Sequence, residues 1–219
     1  MDRTYDTRFQ GPWTMQVVGG SGSGKSMFIK RLLDNANVMM NPPPDRILYC
    51  YSEWQDMFGE MKNVEFYQGL SENLIKRENL HGHTVLVVDD LADEADEKLL
   101  EKIFTKYSHH RFISIILVLH SLFYPGLRNM RLISLNTQYL VIFKSARDQN
   151  SISIVARQMF GQDYKYVLQA YEDATKQKFG YLLIDSKVSD GLIRLRSKIF
   201  PGEVTICYIS KKRYNNGET

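Results

Sequence analysis

The chain has 219 residues, 43% of them hydrophobic, which is enough for one α/β domain with a sizeable core. Its net charge of +3 is too small to indicate nucleic-acid binding by itself. No apolar run approaches the roughly 20 residues of a membrane helix, and the polar first residues are unlike a signal peptide. We therefore expect an intracellular protein with no membrane partner. The cysteines, Cys50 and Cys207, lie far apart in apolar runs, which favours reduced, buried thiols over a disulfide framework.

A glycine-rich segment dominates the first part of the chain. Residues 1–11 are predicted to be a lead-in to a domain that spans 12–205, and residues 15–18 predict a short buried strand. The segment after this strand fits GxxxxGK[ST], and residues 26–33 have the pattern of a helix. The segment consists of Gly19, Gly20, Ser21, Gly22, Ser23, Gly24, Lys25 and Ser26.

A strand, a glycine loop and a helix in this order predict a phosphate-binding site. Glycines let backbone N–H groups converge on an anion, and the helix N-terminus adds partial positive charge. We expect Lys25 to reach the β- and γ-phosphates of a nucleotide and the Ser26 hydroxyl to ligate Mg²⁺. The alternative is a flexible Gly/Ser turn, which both flanking segments disfavour. The sequence therefore predicts binding of ATP or GTP.

Further apolar runs predict a parallel sheet. They are nearly continuous and alternate with helical patterns, which is typical of strands covered on both faces. The fold class is therefore α/β with a mainly parallel central sheet flanked by helices. The predicted strands are 46–51, 64–67, 84–89, 113–119 and 139–143, and the predicted helices are 93–107, 151–160 and 164–174.

The strand at 84–89 ends in two acids and resembles a Walker B element. It delivers Asp89 to the edge of the sheet beside the phosphates, where the carboxylate can hold Mg²⁺ directly or through water. We expect Asp90 to orient and deprotonate a water molecule that attacks the γ-phosphate. The alternative is an acidic turn that caps the next helix.

The strand at 113–119 is followed by His120. Parallel strands share one functional edge, so His120 is expected near the phosphates, where an imidazole can sense the γ-phosphate or position water. A strand-end histidine bonded to a neighbouring loop is an equally good interpretation. His109 and His110 precede the same strand and are expected at the opposite edge.

Three arginines follow His120, namely Arg128, Arg131 and Arg147. One of them is a candidate for an arginine finger that acts on the nucleotide of a neighbouring subunit, and Arg147 ranks first because it follows a strand in a short loop. For each, a surface position or a contact with a DNA phosphate is the competing interpretation.

The last part of the chain predicts a closing strand pair at 181–184 and 192–199. Arg194, Arg196 and Lys198 alternate along the second strand, so they are candidates for a phosphate-tracking face or for the solvent-exposed face of an edge strand. Residues 206–219, which contain Lys211, Lys212 and Arg213, are predicted to be a basic, disordered tail.

Together these motifs resemble the packaging ATPases of the FtsK–HerA superfamily, and more narrowly those of Polinton/Maverick elements and adintoviruses, which are related to the poxvirus packaging ATPase. The later motifs are more specific than the glycine loop. The segments that carry the resemblance are 19–26, 87–91, 108–111, 122–126, 133–137, 139–144, 147–148, 156–159, 170–175, 180–185 and 200–203.

The resemblance implies a homo-oligomeric ring that uses ATP and Mg²⁺ to drive double-stranded DNA of any sequence into a capsid through its vertex, in the host nucleus or cytoplasm or within the virion. It also implies an additional strand between the one that bears the glycine loop and the one that bears Asp89. Its polar sensor falls on His120, where the family commonly has glutamine and then asparagine and this chain has His120-Ser121. Its second acid is often glutamate, so the shorter Asp90 must lie closer or act through an extra water.

Two other functions compete with the motor. One is a small-molecule or nucleotide kinase, which needs a lid and an acceptor pocket. The other is a nucleotide-gated switch without useful turnover, against which Asp90 argues.

Overall fold

The computed structural model describes residues 5–80, 82–91, 96–123, 130–145, 149–188 and 191–210. The strands in these ranges are β1 (Phe9–Gln10), β2 (Thr14–Val18), β3 (Met40–Asn41), β4 (Arg46–Tyr51), β5 (Glu65–Gln68), β6 (Thr84–Asp89), β7 (Ile113–Leu119), β8 (Tyr139–Phe143), β9 (Tyr181–Asp185), β10 (Leu195–Ser197) and β11 (Ile206–Tyr208). The helices are α1 (Lys25–Asp34), α2 (Ala36–Met39), α3 (Glu97–Lys102), α4 (Ser108–His110), α5 (Met130–Leu135), α6 (Gln149–Phe160) and α7 (Tyr164–Ala174).

The main sheet has nine strands in the order β11-β10-β9-β8-β2-β7-β6-β4-β5. The strands from β8 to β5 run parallel, whereas β9, β10 and β11 each run antiparallel to their neighbours. Every residue of β2, β6, β7 and β8 is buried, because helices cover both faces. The predicted α/β fold with a mainly parallel sheet is confirmed, and strands 46–51, 84–89, 113–119 and 139–143 match residue for residue.

The predicted additional strand is β7, which lies between β2 and β6. Val18 at the end of β2 is in register with Leu119 at the end of β7, and Asp89 at the end of β6 is in register with Val118. The glycine loop, the two acids and His120 therefore leave the sheet at the same edge.

Two apolar layers hold the sheet between its helices. On one face, α1 packs Phe28, Ile29 and Leu32 against the strands, and the Phe28 ring meets those of Phe143 and Tyr181 edge-on. On the other face, side chains of α3, α5, α6 and α7 form a second cluster. Truncating a buried phenylalanine such as Phe28 to alanine typically costs about 3–5 kcal/mol, so α1 anchors the loop that precedes it.

Residues 5–11, the described part of the expected lead-in, contribute to the fold. β1 pairs in parallel with β3 in a small separate sheet, and Phe9 is 1% exposed, with its ring against Trp13 and Tyr139. Aromatic packing thus joins this part of the segment to the residues that follow it.

The segment expected to be a tail contains a strand. Residues Ile206–Tyr208 form β11, the edge strand of the main sheet, because this apolar start of the segment pairs with β10. Residues 211–219, including the three basic residues of the expected tail, lie outside the described residues. Cys50 is buried as predicted, whereas Cys207 in the edge strand is exposed.

The helix expected over 93–107 differs from the prediction at both ends. Within the described residues α3 begins at Glu97, capped by the carboxylate of Asp96, and a π-helical turn at Ile103–Tyr107 and then α4 continue it to His110. The strand expected over 192–199 is shorter than predicted, since β10 has only three residues. In the parts of the chain that the structure describes, no helix has the length and apolar character needed to cross a membrane.

Candidate functional site

The glycine loop begins where β2 ends. The Gly19 N–H donates to the Leu119 carbonyl at 3.1 Å and ties the loop to β7. A Cβ at Gly19 would lie 2.7 Å from the Phe143 Cβ and from the Ser23 Oγ, so the strand exit has no room for a side chain. Gly24, with φ +106°, turns the chain into α1 through the left-handed region that favours glycine.

The loop and helix fit a phosphate group. α1 has ten residues, no acidic residue in its first turn and no side-chain cap at Gly24, so its partial positive charge is left for a ligand. A Cβ at Gly20 or Gly22 would meet nothing within 4 Å, so the outer side of the loop is open. The Ser23 Oγ is buried without a hydrogen-bond partner among the described residues, which leaves a polar atom available inside the loop.

Lys25 lies over the loop. It is 8% exposed, and its Nζ donates to the carbonyls of Gly19 at 2.7 Å and Gly20 at 3.1 Å. Burial lowers the pKa of Lys25, while the carboxylates of Asp90 and Asp89 act in the opposite direction. The cation is thus held between the loop and the two acids.

Asp89 is buried at the end of β6. It is 4% exposed, and the hydroxyl of Tyr49 in β4 donates to its Oδ2 at 2.6 Å. Burial raises the pKa of Asp89, and the Tyr49 hydrogen bond and the charge of Lys25 lower it. Tyr49 was missed from the sequence; the signal available was a tyrosine within an apolar strand, whose buried hydroxyl needs a partner.

Asp90 and His120 contact each other. The His120 Nε2 lies 2.5 Å from the Asp90 Oδ1, and the side chains are 40% and 55% exposed, respectively. The backbone of Asp90 has φ +57°, a left-handed conformation that aspartate tolerates better than most residues, and it turns the carboxylate toward β7. Of the two interpretations of His120, the contact with a neighbouring loop is present, and that neighbour is the predicted water-activating acid.

The donor set fits magnesium with a nucleotide. Mg²⁺ is commonly held by one or two protein oxygens together with substrate phosphates and water, and Ser26 and Asp89 offer such oxygens beside the loop. Within the described ranges, no group of three or more His, Cys, Asp or Glu side chains could hold a metal. Ser26 and Asp89 would share a magnesium ion with phosphate oxygens.

Only some of the arginines and lysines proposed as a finger or as DNA contacts lie among the described residues. Arg147 and Arg128 lie outside the described residues, and Arg131 is exposed in α5. The phosphate-tracking face expected from Arg194, Arg196 and Lys198 is corrected, because Arg196 is 2% exposed and pairs with Asp185 at 2.7 Å. The guanidinium of Arg194 lies 4.0 Å from the centroid of the Phe160 ring. Lys198 is exposed.

Comparisons with known proteins give no family. No family model matches the chain, and no curated protein matches it. Among solved structures it is similar to the N-terminal domain of zonular occludens toxin from Neisseria meningitidis, at 13% identity and a TM-score of 0.41 over 94% of this chain and 98% of that one. It is also similar to the cytoplasmic domain of EssC, at 16% identity and a TM-score of 0.45 over 90% of this chain and 39% of that one. Likenesses this distant carry no functional inference.

Proposed function

We propose that this protein is a magnesium-dependent ATPase. The observation that carries the proposal is the meeting of Lys25, Asp89 and the Asp90–His120 pair at one edge of the sheet, where β6 and β7 end and α1 begins. A bare phosphate-binding loop needs only glycines and a helix. A buried acid, an exposed acid and a lysine beside the loop add what phosphoryl transfer to water requires.

The chain's own groups have distinct tasks in this proposal. The amides of the loop and the N-terminus of α1 bind the phosphates, and Lys25 moves from the Gly19 and Gly20 carbonyls to oxygens of the β- and γ-phosphates. Ser26 and Asp89 would hold Mg²⁺, which would neutralise charge on the phosphates, and the hydrogen bond from Tyr49 fixes the orientation of Asp89.

Asp90 acts on the attacking water. The water oxygen forms a bond to the γ-phosphorus while the bond between that phosphorus and the β–γ bridging oxygen breaks, which yields ADP and phosphate. The proton of the water passes to the Asp90 carboxylate, which His120 holds in place. Asp90 suits this task better than Asp89 because it is exposed, whereas Asp89 is buried and bonded to Tyr49.

We further propose that hydrolysis drives translocation of double-stranded DNA into a viral capsid by a ring of identical subunits. The support is the sequence resemblance of the segments between residues 19 and 203. Arg147 is the first candidate for a finger supplied to the neighbouring subunit. Mixing Arg147→Ala with Lys25→Ala subunits should restore some hydrolysis, since some sites then pair an intact loop with an intact finger; assembled mixed rings without activity would contradict it.

Steady-state hydrolysis by the full chain, with and without double-stranded DNA, tests the proposal. A rate that requires Mg²⁺ and rises with DNA of unrelated sequences supports the motor. ADP production that depends on a small acceptor would replace it with a kinase. Turnover near zero in every condition would replace it with a nucleotide-gated switch.

A further inference from the structure

A second pocket adjoins the glycine loop on the side away from the acids. It has a volume of about 350 Å³ and lies between Gly22 and Ser23 of the loop, Lys144 after β8, and residues 175–180 before β9. β8 is the neighbour of β2 on the side opposite β7. β9 is antiparallel to β8, so the start of β9 and the end of β8 meet at the same edge as the loop.

The position of the pocket suits the sugar and base of a bound nucleotide. The groups that act on the γ-phosphate belong to β6 and β7, on one side of β2. A nucleotide whose β-phosphate is held by the loop and whose γ-phosphate faces Asp89 and Asp90 must extend its sugar and base away from them. The pocket beside β8 and β9 lies in that direction.

Phe179 offers an aromatic face in this pocket. Phe179 is 55% exposed, and its ring and Cβ atoms lie 3.1–3.4 Å from where a Cβ would stand on Gly24. Its backbone has φ +64°, a costly conformation for a bulky residue. The chain therefore holds a large apolar ring against the phosphate loop at the cost of both solvent exposure and backbone strain.

The segment that presents Phe179 is fixed at both ends. The Thr175 hydroxyl donates to the Tyr171 carbonyl at 2.8 Å, and the Gly180 N–H donates to the Gln177 carbonyl at 3.0 Å. A Cβ at Gly180 would lie 2.3 Å from the Ala174 carbonyl oxygen, so only glycine fits this turn. The ring position follows from the fold of this turn.

The pocket is also cationic. Lys144, Lys176 and Lys178 line it and are exposed, and none of its described lining residues is acidic. The Lys178 Nζ lies 4.9 Å from the centroid of the Phe179 ring. An aromatic face with lysines around it suits a ligand that is flat and anionic, as the base and α-phosphate end of a nucleotide are.

We propose that Phe179 is the stacking surface for the base of the bound nucleotide, and that the surrounding lysines attract its α-phosphate. This inference rests on the proposed function, since it takes the loop to hold a nucleoside triphosphate. It adds that affinity for ATP comes in part from the nucleoside and not from the phosphates alone.

The test compares the affinities of ATP and inorganic tripolyphosphate, both with Mg²⁺, for the full chain. Phe179→Ala should weaken ATP binding by about tenfold, within the range measured for base–aromatic stacking, and leave tripolyphosphate binding unchanged. Phe179→Leu retains apolar packing on Gly24 without a π-face, so it should weaken ATP binding similarly. Phe179→Trp keeps an aromatic face, so its affinity for ATP should be close to that of the wild type.

The outcomes separate this inference from the proposed function. Equal weakening of both ligands by Phe179→Ala, with recovery in Phe179→Leu, would mean that the ring only supports Gly24 and would overturn the inference. Unchanged ATP affinity in all three variants would overturn it as well. A wild-type chain that binds neither ligand would overturn the proposed function itself.

Discussion

Two acid–base pairs lie at opposite edges of the same sheet. Asp185 and Arg196 join β9 to β10 at the edge where the parallel strands begin, and their side chains are 3% and 2% exposed, respectively. Asp90 and His120 join the tips of β6 and β7 at the edge where these strands end, and they are 55% and 40% exposed. The first pair is enclosed by the protein, and the second is open to a ligand.

The difference separates structural from chemical use of similar groups. Arg196 also donates to the Thr7 carbonyl at 2.9 Å, so the buried pair ties the N-terminal segment to the sheet. Burial raises the pKa of Asp185, and the charge of Arg196 opposes this shift. We expect loss of the buried pair to cost folding free energy and loss of the exposed pair to cost turnover.

The largest expected effect is on turnover at the exposed pair. Asp90→Asn should lower the rate of ATP hydrolysis by about 10²–10⁴-fold, because it removes the group that accepts the proton of the water. ATP affinity and the urea midpoint should stay close to those of the wild type, since the side chain is exposed. Wild-type turnover in this variant would show that another acid or solvent is the base.

The buried pair should respond in the opposite way. Arg196→Ala should lower the free energy of unfolding by about 3–5 kcal/mol, because it leaves a carboxylate buried without its partner. Urea unfolding measures this change, and hydrolysis per folded molecule should be unaffected. The double variant Arg196→Met, Asp185→Leu should recover much of the stability. A single variant as stable as the wild type would contradict the structural role.

A smaller effect is expected at Tyr49, whose hydroxyl bonds to Asp89, the buried acid of the pair Asp89 and Asp90. Tyr49→Phe removes the hydrogen bond that the Tyr49 hydroxyl donates to Asp89, which should lower the free energy of unfolding by about 1–3 kcal/mol. That bond lowers the pKa of Asp89 against the effect of burial. Its loss should raise this pKa, so the acidic limb of the pH–rate profile should move to higher pH and more Mg²⁺ should be needed. An unchanged profile would exclude a role in orienting Asp89.

The smallest effect concerns Lys198, which directly follows β10. Lys198 is exposed and Arg196 is buried, so of these two cations only Lys198 is open to a DNA phosphate. If it does, Lys198→Gln should reduce the slope of log affinity against log salt by about 0.9, equally for two unrelated duplexes. A flat salt response of the wild type would contradict phosphate-dominated DNA binding.

Sequence patterns predicted the centre of the molecule well and its margins poorly. The strands that end at Asp89 and Leu119 are continuous apolar runs, and parallel pairing then places their tips beside the loop after Val18. Arg196 was misread because alternation in a three-residue strand does not reveal what covers each face. Phe9, from the segment expected to be a lead-in, is likewise buried, and one of its ring partners is Tyr139, which is distant in sequence.

The side-chain contacts between neighbouring strands could not be predicted from the sequence either. The Tyr49–Asp89 hydrogen bond joins residues of adjacent strands that are 40 positions apart. The contact between Asp90 and His120 depends on a left-handed backbone at Asp90. Phe179 showed no periodic pattern, and its place beside Gly24 depends on the order of β2, β8 and β9 in the sheet.

The central claim is that the loop and the acids hydrolyse ATP, and phosphate release tests it most directly. The measurement compares the wild-type chain with Lys25→Ala, both with Mg²⁺ and ATP and both with and without double-stranded DNA. We predict steady phosphate release by the wild type and none above background by Lys25→Ala, because the variant lacks the cation that faces the transferred phosphoryl group. Equal release by the two proteins, or none by the wild type in either condition, would contradict the account.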